Sequence, residues 1–294
     1  MKENESLTDE PFIPEDSPGW LLENIRKPVK SVWTSVNDRS VHLLDWGIEG
    51  SALPTLLLVH GFGAHAHWWA FLAPFFSSDY RVVAIDLPGF GDSSPPPAYT
   101  DTCFSEAIVG CIEQNELGPV SIVGHSFGGA QAIRAMGMAP HLFRQGIVVD
   151  SNVRLPPEPL IRRLSPKGVH KISDSLEDCM SRFRLLPPAN YIPALVDYIA
   201  FHSCTQSDSG WHWKADPNVI NVGEIEDSAI LEAANVPIDM IYGVNSFLNI
   251  EDKPSRVMQH FPQAGRLLQI PDAGHHIMAE RPLELVSGIK SLLK

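Results

Sequence analysis

Four short, continuously apolar runs alternate with helical patterns in the first half of the chain. The runs are Thr55 to His60, Arg81 to Asp86, Val120 to Gly124 and Gly146 to Asp150. Three segments with helical patterning lie between them: His67 to Phe76, Cys103 to Asn115 and Phe127 to Met138. Apolar runs of this length are typical of strands buried on both faces of a parallel sheet, which need long crossover connections. The alternation therefore predicts an α/β fold with a mostly parallel, doubly wound sheet.

Patterns on either side of this region extend the predicted sheet. Ser31 to Val36 and Val41 to Trp46 flank the turn-forming residues 37–40, which predicts a β-hairpin at the start. Two further strand patterns, Pro237 to Tyr242 and Arg266 to Ile270, come late in the chain. An amphipathic helix is predicted from about Pro282 to the end.

Residues 151–233 interrupt the alternation. Proline becomes frequent there, and the pattern is irregular and mostly helical, including Ile172 to Phe183 and Ile192 to His202. Apolar side chains are abundant enough to roof a pocket: Phe183, Leu185, Leu186, Tyr191, Tyr198, Phe201, Trp211 and Trp213. We therefore predict an N-terminal arm (1–30), an α/β core (31–150 and 234–294) and an inserted cap (151–233).

Charge and composition narrow the classes of partner. The formal net charge of −13, without a cluster of Lys and Arg, disfavours a nucleic acid and suits an uncharged substrate better. No apolar run approaches the roughly 20 residues that cross a bilayer, and the stretch from Met1 to Pro18 lacks the regions of a secretory signal. The four cysteines have no metal-binding or redox spacing. We expect a soluble, cytoplasmic protein without a membrane partner, and the sequence leaves both a monomer and a homodimer open.

Ser126 lies in the pentapeptide Gly124-His125-Ser126-Phe127-Gly128, between a predicted strand and a predicted helix. A sharp turn from strand to helix holds its central residue in a strained conformation, and flanking glycines leave room for it. In this context a G-x-S-x-G sequence indicates an exposed nucleophile.

Two backbone amides are expected to bind an oxyanion beside Ser126. The N–H of Phe127 begins the predicted helix and has no intrahelical acceptor. The loop His60-Gly61-Phe62-Gly63, at the end of an earlier strand, can supply the N–H of Phe62 as a second donor.

His275 is the predicted general base, because a serine hydroxyl needs an adjacent base to attack a carbonyl. The segment Asp272-Ala273-Gly274-His275-His276 directly follows the last predicted strand. That position places His275 at the carboxyl edge of the sheet, where open α/β folds bind their ligands. His276 is expected to pack or to cap.

These motifs resemble those of the α/β-hydrolase superfamily. The likeness extends from about residue 31 to the C-terminus outside the predicted cap, and includes Asp86 to Ser93 and Gly274-His275 followed by Glu280-Arg281-Pro282. Within the superfamily, the chain most resembles capped esterases and carbon–carbon bond hydrolases. The resemblance implies an α/β-hydrolase fold and acyl transfer to water without a cofactor.

The carboxylate that would orient His275 does not follow the family's usual pattern in this sequence. The family usually places its acid three residues after a glycine that ends the penultimate strand, but Gly243-Val244-Asn245-Ser246 puts Ser246 there. Serine cannot carry the negative charge that holds an imidazole in the required tautomer.

Asp150 is the preferred acid. It ends the strand after the nucleophile helix, a position that some family members use, and a carboxylate there is costly to bury without a partner. Glu251 and Asp252 are the alternatives, although Asp252 precedes Lys253-Pro254 in a pattern typical of a helix start. Asp86 and Asp92 are expected to organise the turn after their strand.

Two histidine-containing segments, His65-Ala66-His67 and Trp211-His212-Trp213, raise the question of a metal. No third ligand is spaced to complete either site, so we expect neither a metal nor another cofactor. The His65 loop is expected to border the pocket.

Three functions fit these residues. The first is a serine hydrolase that cleaves an ester, or a related acyl or carbon–carbon bond, of a small and largely apolar carbonyl substrate through Ser126, His275 and Asp150. The second is a lyase or cofactor-free oxygenase that uses His275 and Asp150 as its base. The third is a non-catalytic receptor for a small molecule on the same fold.

Overall fold

The computed structural model describes residues 13–14, 17–47, 52–153, 155, 168–219 and 228–294. Much of the predicted arm and part of the predicted cap lie outside these residues. Within the described segments, no helix combines the length and the apolar character that crossing a membrane needs.

An eight-stranded sheet forms the centre of the molecule. The described residues contain ten strands, of which all but β7 and β8 belong to this sheet. In chain order they are β1 (Lys30–Val36), β2 (Arg39–Asp45), β3 (Thr55–Val59), β4 (Arg81–Ile85), β5 (Val120–His125), β6 (Phe143–Val149), β7 (Cys204–Ser207), β8 (Gly210–Trp213), β9 (Ile238–Gly243) and β10 (Ala264–Ile270). The sheet has the order β1-β2-β4-β3-β5-β6-β9-β10, and β7 pairs with β8 alone. Its strands are parallel from β4 to β10, while β2 is antiparallel to both β1 and β4. The predicted doubly wound sheet is confirmed.

Helices cover both faces of this sheet. They are α1 (Gly19–Ile25), α2 (Cys103–Gln114), α3 (Phe127–Met138), α4 (Leu176–Ser181), α5 (Pro193–Ser203), α6 (Ser228–Ala233), α7 (Lys253–Met258), α8 (Ile277–Glu280) and α9 (Pro282–Leu292). Apolar residues of α2, α3, α6 and α7 pack with one face of the sheet, and those of α1, α5, α8 and α9 pack with the other. The chain thus buries two apolar layers, as a sheet apolar on both faces requires.

The predicted hairpin at the start of the sheet is confirmed. In its turn, Asn37 and Asp38 both have positive φ, at 51° and 60°, and Val36 pairs with Arg39. This is the conformation of a two-residue turn that matches the twist of the flanking strands.

The predicted helix over His67 to Phe76 is wrong. The structure has two short 3₁₀ helices instead, Ala66–Trp68 and Ala73–Phe76. Pro74 contributes to the break, because it has no N–H to donate to the Ala70 carbonyl, as a continuous α-helix would require.

The order of the strands places the loops that contain the predicted site residues along one edge of the sheet. The chain runs from β3 outward to β4 and then returns to pair β5 with β3. Since the carboxyl ends of parallel strands meet at the same edge, the residues that follow β3, β5, β6, β9 and β10 all lie there. These residues include the His60 loop, Ser126, Asp150, Ser246 and His275.

Candidate active site

Ser126 occupies a strained turn between β5 and α3. Its φ of 52° and ψ of −120° lie far from both flanking elements. The turn is held by a hydrogen bond from the Ser126 N–H to the Val149 carbonyl (2.9 Å) and by one from the Ser151 hydroxyl to the Ser126 carbonyl (2.5 Å). Such a conformation costs on the order of 1–3 kcal/mol and persists only where the surroundings impose it.

The glycines of the pentapeptide are required by close backbone approach. A Cβ on Gly124 would lie 2.6 Å from the carbonyl oxygen of Gly128. A Cβ on Gly128 would overlap the carbonyl oxygen of His60. The helix that follows Ser126 therefore packs directly against β3 and β5, which aims its first amides at the sheet edge.

His275 forms a hydrogen bond with Asp150. Its Nδ1 lies 2.7 Å from the Asp150 Oδ2, and both side chains are buried. An ionised carboxylate can only accept, so Nδ1 carries the proton and Nε2 keeps its lone pair. Neutral His275 in this tautomer is a base at Nε2.

Asp150 is fully buried at the end of β6, with a positive φ of 43°. Besides His275, its Oδ2 accepts a hydrogen bond from the Ser246 hydroxyl (2.6 Å), and its Oδ1 accepts one from the Gly243 N–H (3.1 Å). Three donors thus offset the cost of burying this charge. The negative charge also adds to burial in raising the pKa of Tyr242, whose hydroxyl donates to the Ser151 carbonyl.

Ser246 has a role that the sequence did not reveal. It lies three residues after Gly243, and its hydroxyl donates a hydrogen bond to the Asp150 carboxylate (2.6 Å). Its Oγ also accepts the Leu248 N–H (3.1 Å), which fixes the hydroxyl in the loop after β9. The serine therefore supports the carboxylate instead of supplying it.

The alternative acids lie away from this pair. Glu251 and Asp252 are exposed and have positive φ, at 49° and 54°, in the turn before α7. The Asp252 carbonyl accepts the Arg256 N–H (3.1 Å), so Asp252 is at the start of the helix as expected, but its side chain does not cap it.

The loop that carries His275 is fixed on both sides. Glu280 accepts hydrogen bonds from the N–H of Gly274 (2.8 Å) and of His276 (3.1 Å), the two neighbours of His275. The ring of His125, next to Ser126, donates from Nε2 to the His275 carbonyl (2.9 Å). This bond directly joins the turn at Ser126 to the loop that carries His275.

The two histidines beside this pair are neutral. Burial, followed by the nearby His275 and His276, lowers the pKa of His125 well below its usual range. Burial also lowers the pKa of His276 to about 4. His276 donates from Nε2 to the Leu186 carbonyl (2.9 Å), which ties the sheet edge to the segment after α4.

Phe62, in the loop after β3, and Phe127, at the start of α3, contact each other through their side chains. Their rings contact each other edge to face, with centroids 5.6 Å apart. The Phe127 N–H is at the first position of α3, where a helix provides no acceptor. Within the described part of the chain, the Phe62 N–H also has no hydrogen-bond acceptor.

The buried residues near the Phe62 loop organise it. Asp86 accepts hydrogen bonds from the His42 ring (2.7 Å), the Ala66 N–H (2.6 Å) and the Asp92 N–H (2.9 Å). His60 donates from Nδ1 to the Gly61 carbonyl and accepts the Leu87 N–H at Nε2. Asp86 therefore structures the turn, as expected.

Two cavities lie next to this edge. The first, of about 380 Å³, is bordered by Phe62, His65 and His276 from the core and by Phe183, Leu185, Leu186 and Trp213 from the segment between β6 and β9. The second, of about 680 Å³, shares Phe62, Arg184 and Trp213 with it. The expected position of the His65 loop at a pocket is confirmed.

Two groups of side chains within the described residues bring three potential metal-binding atoms within 4.8 Å of one another. They are His125, His275 and His276, and His42, Asp86 and Asp92. In both groups, hydrogen bonds within the protein account for the arrangement. His65 instead contacts the Ser203 hydroxyl (2.9 Å), and His67 stacks on His202 with ring centroids 3.7 Å apart.

The sheet order, the strained serine and the histidine–carboxylate pair occur together in one known family. A sequence model of the alpha/beta hydrolase family matches residues 56–288. The chain belongs to the alpha/beta hydrolase family. The predicted family, fold and hydrolase class of enzyme are confirmed.

The chain is similar in sequence to several known proteins, some over nearly its whole length and others over about a third of it. The chain is 24% identical to an esterase of Mycobacterium tuberculosis over 98% of this chain and 99% of that relative. It is 32% identical to (E)-2-((N-methylformamido)methylene)succinate hydrolase of Acinetobacter baylyi over 39% of this chain and 42% of that relative. It is 34% identical to the dihydrolipoyllysine-residue acetyltransferase component of the acetoin cleaving system of Pseudomonas putida, over 36% of this chain and only 28% of that relative.

Solved structures support the same fold. A thioesterase domain from the curacin biosynthetic pathway superposes with a TM-score of 0.74 at 22% identity, over 89% of this hydrolase and 99% of that domain. The crystal structure of the Mycobacterium tuberculosis esterase superposes with a TM-score of 0.70 at 19% identity, over 93% of this hydrolase and 96% of that chain. At these identities the likeness establishes the fold alone.

Proposed function

We propose that this hydrolase is a serine esterase in which Ser126 is the nucleophile, His275 the general base and Asp150 the acid that orients it. The observation that carries the proposal is the 2.7 Å hydrogen bond between His275 Nδ1 and Asp150 Oδ2, at the sheet edge where Ser126 lies in its strained turn. The similarity to an esterase over nearly the whole chain supports it.

In this mechanism the first half-reaction forms an acyl-enzyme. The Ser126 hydroxyl oxygen attacks the ester carbonyl carbon while His275 Nε2 takes the hydroxyl proton. The N–H groups of Phe62 and Phe127 bind the oxyanion of the tetrahedral intermediate. Its collapse breaks the bond to the alcohol, and His275 returns the proton to the leaving oxygen.

The second half-reaction releases the acid. Water attacks the acyl carbon while His275 Nε2 accepts one of its protons, and the same two amides bind the second oxyanion. Collapse frees the Ser126 oxygen, which recovers the proton from His275. Asp150 stays ionised throughout and stabilises the imidazolium of each step.

The proposal includes a cap formed by residues 151–233. Four contacts between this segment and the core support it: His276 with Leu186, His65 with Ser203, Asp92 with Lys214, and Gly89 with Asp216. Its apolar side chains Phe183, Leu185 and Leu186 border the cavity beside Phe62, so they would hold the apolar part of a substrate.

Two variants test the proposal with p-nitrophenyl butyrate as substrate. Ser126→Ala and His275→Ala should each lower kcat/KM by at least about 10³-fold, since members of a triad act as a unit. A lyase or oxygenase that uses His275 as its base would tolerate Ser126→Ala far better than His275→Ala. A receptor would release no p-nitrophenol in either form. Parental turnover in a folded Ser126→Ala variant would refute the mechanism.

A further inference from the structure

The two cavities have an excess of positive charge. Among the described residues, Lys171, Arg182 and Arg184 border the larger cavity together with a single carboxylate, Asp216. Arg184 and Lys214 border the smaller one, whose described lining contains no carboxylate. The chain as a whole carries a formal charge of −13, so the net charge at the cavities is opposite in sign to that of the whole protein. A cleft with one sign of charge concentrates ligands of the opposite sign.

Ion pairs within the described residues neutralise only part of this positive charge. Asp216 is already engaged, since its Oδ2 accepts the Tyr99 hydroxyl (2.6 Å) and its Oδ1 accepts the Asn218 N–H (2.8 Å). Lys214 pairs with Asp92 (2.8 Å). Within the described segments, neither Arg182 nor Arg184 forms an ion pair with a carboxylate.

Arg184 is held with one side of its guanidinium open. Its Nη1 donates to the carbonyls of Ser181 (2.6 Å) and Phe183 (2.6 Å). In the described part of the chain, Nε and Nη2 have no acceptor, although they form the fork that binds a carboxylate with two parallel hydrogen bonds. Elsewhere in this protein, the same two nitrogens of Arg81 both donate to Oδ2 of the Asp45 carboxylate, at 3.2 Å and 2.7 Å.

Arg182 is fixed beside it. Its Nη2 donates to the Lys171 carbonyl (3.1 Å) and to the Ser173 hydroxyl (2.5 Å), and its guanidinium carbon lies 5.6 Å from the centre of the Trp213 ring. Its Nε is buried without a hydrogen-bond partner among the described residues. Both guanidinium groups are therefore oriented by hydrogen bonds to the protein before any ligand binds, which reduces the entropy lost on binding.

We propose that the two cavities form one binding site for esters whose acyl chain ends in a carboxylate, with the Nε and Nη2 of Arg184 as its anchor. Phe62 borders both cavities, and its amide is the proposed oxyanion donor, so the scissile carbonyl would lie at the Phe62 end. The apolar side chains Phe183 and Leu186 would contact the methylene chain between the two groups. This inference rests on the proposed esterase activity and names its substrate class.

The test uses mono-p-nitrophenyl esters of dicarboxylic acids, from glutarate to sebacate, each compared with the same acyl chain ended by a primary amide. The amide has the size of the carboxylate without its charge. At the chain length that spans the site, kcat/KM for the acid should exceed that for the amide by about tenfold, because Arg184 is partly exposed to solvent. The preference should fall as salt is added.

Variants of Arg184 assign the effect to this residue. Arg184→Gln should abolish the preference, while Arg184→Lys, which keeps the charge but loses the fork, should retain only part of it. Arg144→Gln is the matched control, since Arg144 lies on β6 and donates to the Pro119 carbonyl. It makes the same change in net charge and should keep the full preference.

Two results would overturn the inference. Equal kcat/KM for acid and amide at every chain length would show that no carboxylate is recognised. A preference that survives in Arg184→Gln would show that another group recognises it. In both cases continued turnover of the neutral esters, abolished by Ser126→Ala, would leave the proposed esterase function intact.

Discussion

Replacing Asp150 by Asn removes one negative charge and hardly changes the shape of the side chain, so it tests the role of the carboxylate beside His275. The carboxylate accepts hydrogen bonds from three donors: the His275 ring, the Ser246 hydroxyl and the Gly243 N–H. An amide has one acceptor oxygen and one donor NH₂, so it cannot satisfy all three. Because the side chain is fully buried, water cannot compensate.

Either orientation of the amide impairs the base. With the NH₂ facing His275, the imidazole must place its proton on Nε2 and loses the lone pair that accepts the Ser126 proton. With the oxygen facing His275, the tautomer is kept, but two donors, the NH₂ of the amide and the Gly243 N–H, then point at each other. The imidazolium also loses its counter-charge. We expect kcat/KM to fall about 10³- to 10⁴-fold, equivalent to about 4 to 5.5 kcal/mol. The unsatisfied donors should cost a further 1–3 kcal/mol or so of unfolding free energy.

The assay is the release of p-nitrophenol from p-nitrophenyl butyrate, with urea unfolding of the same samples to confirm that the variant is folded. Asp252→Asn is the matched control, since this side chain is exposed in the turn before α7 and makes no cap. It should keep full turnover and change the unfolding free energy by less than about 0.5 kcal/mol. Parental turnover in folded Asp150→Asn, or a loss in Asp252→Asn instead, would refute the assignment of the acid.

Three further outcomes are expected. In the first, the double variant Asp150→Ser with Ser246→Asp exchanges the two hydrogen-bonded residues. Its kcat/KM should be at least about tenfold higher than that of Asp150→Ser alone, because the exchanged oxygens lie only 2.6 Å apart. No recovery would mean that a carboxylate at 246 cannot reach His275. Gly128→Ala should lower the unfolding free energy in urea by about 2–4 kcal/mol, since its Cβ would overlap the His60 carbonyl, whereas Gly19→Ala, with no atom nearby, should cost less than about 1 kcal/mol. Burial lowers the pKa of His276 from 6.5 to about 4, so on acidification the imidazole is protonated in the unfolded chain before it is protonated in the folded protein. The stability that neutral His276 provides is therefore complete above pH 6.5 and declines as the pH falls towards 4. Between pH 7 and pH 5, His276→Gln should therefore lose about 2 kcal/mol less unfolding free energy than the parent, and equal losses would contradict this reasoning.

The nucleophile turn and the sheet could be predicted because their signals are local. Continuous apolar runs identify buried strands, and the glycines around Ser126 report the close packing of α3 on β3 and β5. The position of His275 after the last strand followed from the same reasoning, because a strand that ends at the sheet edge brings its next residues to that edge.

The sequence favours Asp150 as the acid but does not exclude Glu251 and Asp252. Asp150, Glu251 and Asp252 all follow elements of the predicted core, and the sequence does not contain the distance between the ends of β6 and β10. The supporting role of Ser246 was hidden for the same reason, since its contact with Asp150 joins residues far apart in the chain. A hydroxyl at the usual acid position, with an unexplained Asp after the nucleophile helix, was the signal that could have paired them.

Two local signals were misread or passed over. Pro74 should have stopped the predicted helix over His67 to Phe76. The hairpin of β7 and β8 has a turn at Asp208-Ser209-Gly210, with Gly210 at a φ of 119°, between strands of mixed polarity. The mostly helical pattern predicted for residues 151–233 does not hold at this hairpin, because the turn favours two strands.

The expectation of an uncharged substrate came from the net charge alone. A sum over the chain does not say where the charges lie, and the fold collects Lys171, Arg182 and Arg184 at one cavity within an acidic protein. This distribution depends on contacts between backbone carbonyls and guanidinium groups, which no sequence pattern indicates.

Covalent labelling by a fluorophosphonate tests the central claim, that the Ser126 hydroxyl is a nucleophile activated by His275. The account predicts a single adduct, mapped by mass spectrometry to the peptide that contains Ser126. The adduct should be absent from Ser126→Ala and form at least about 100-fold more slowly in His275→Ala. An adduct on another residue of the folded protein, or an equal rate in His275→Ala, would contradict it.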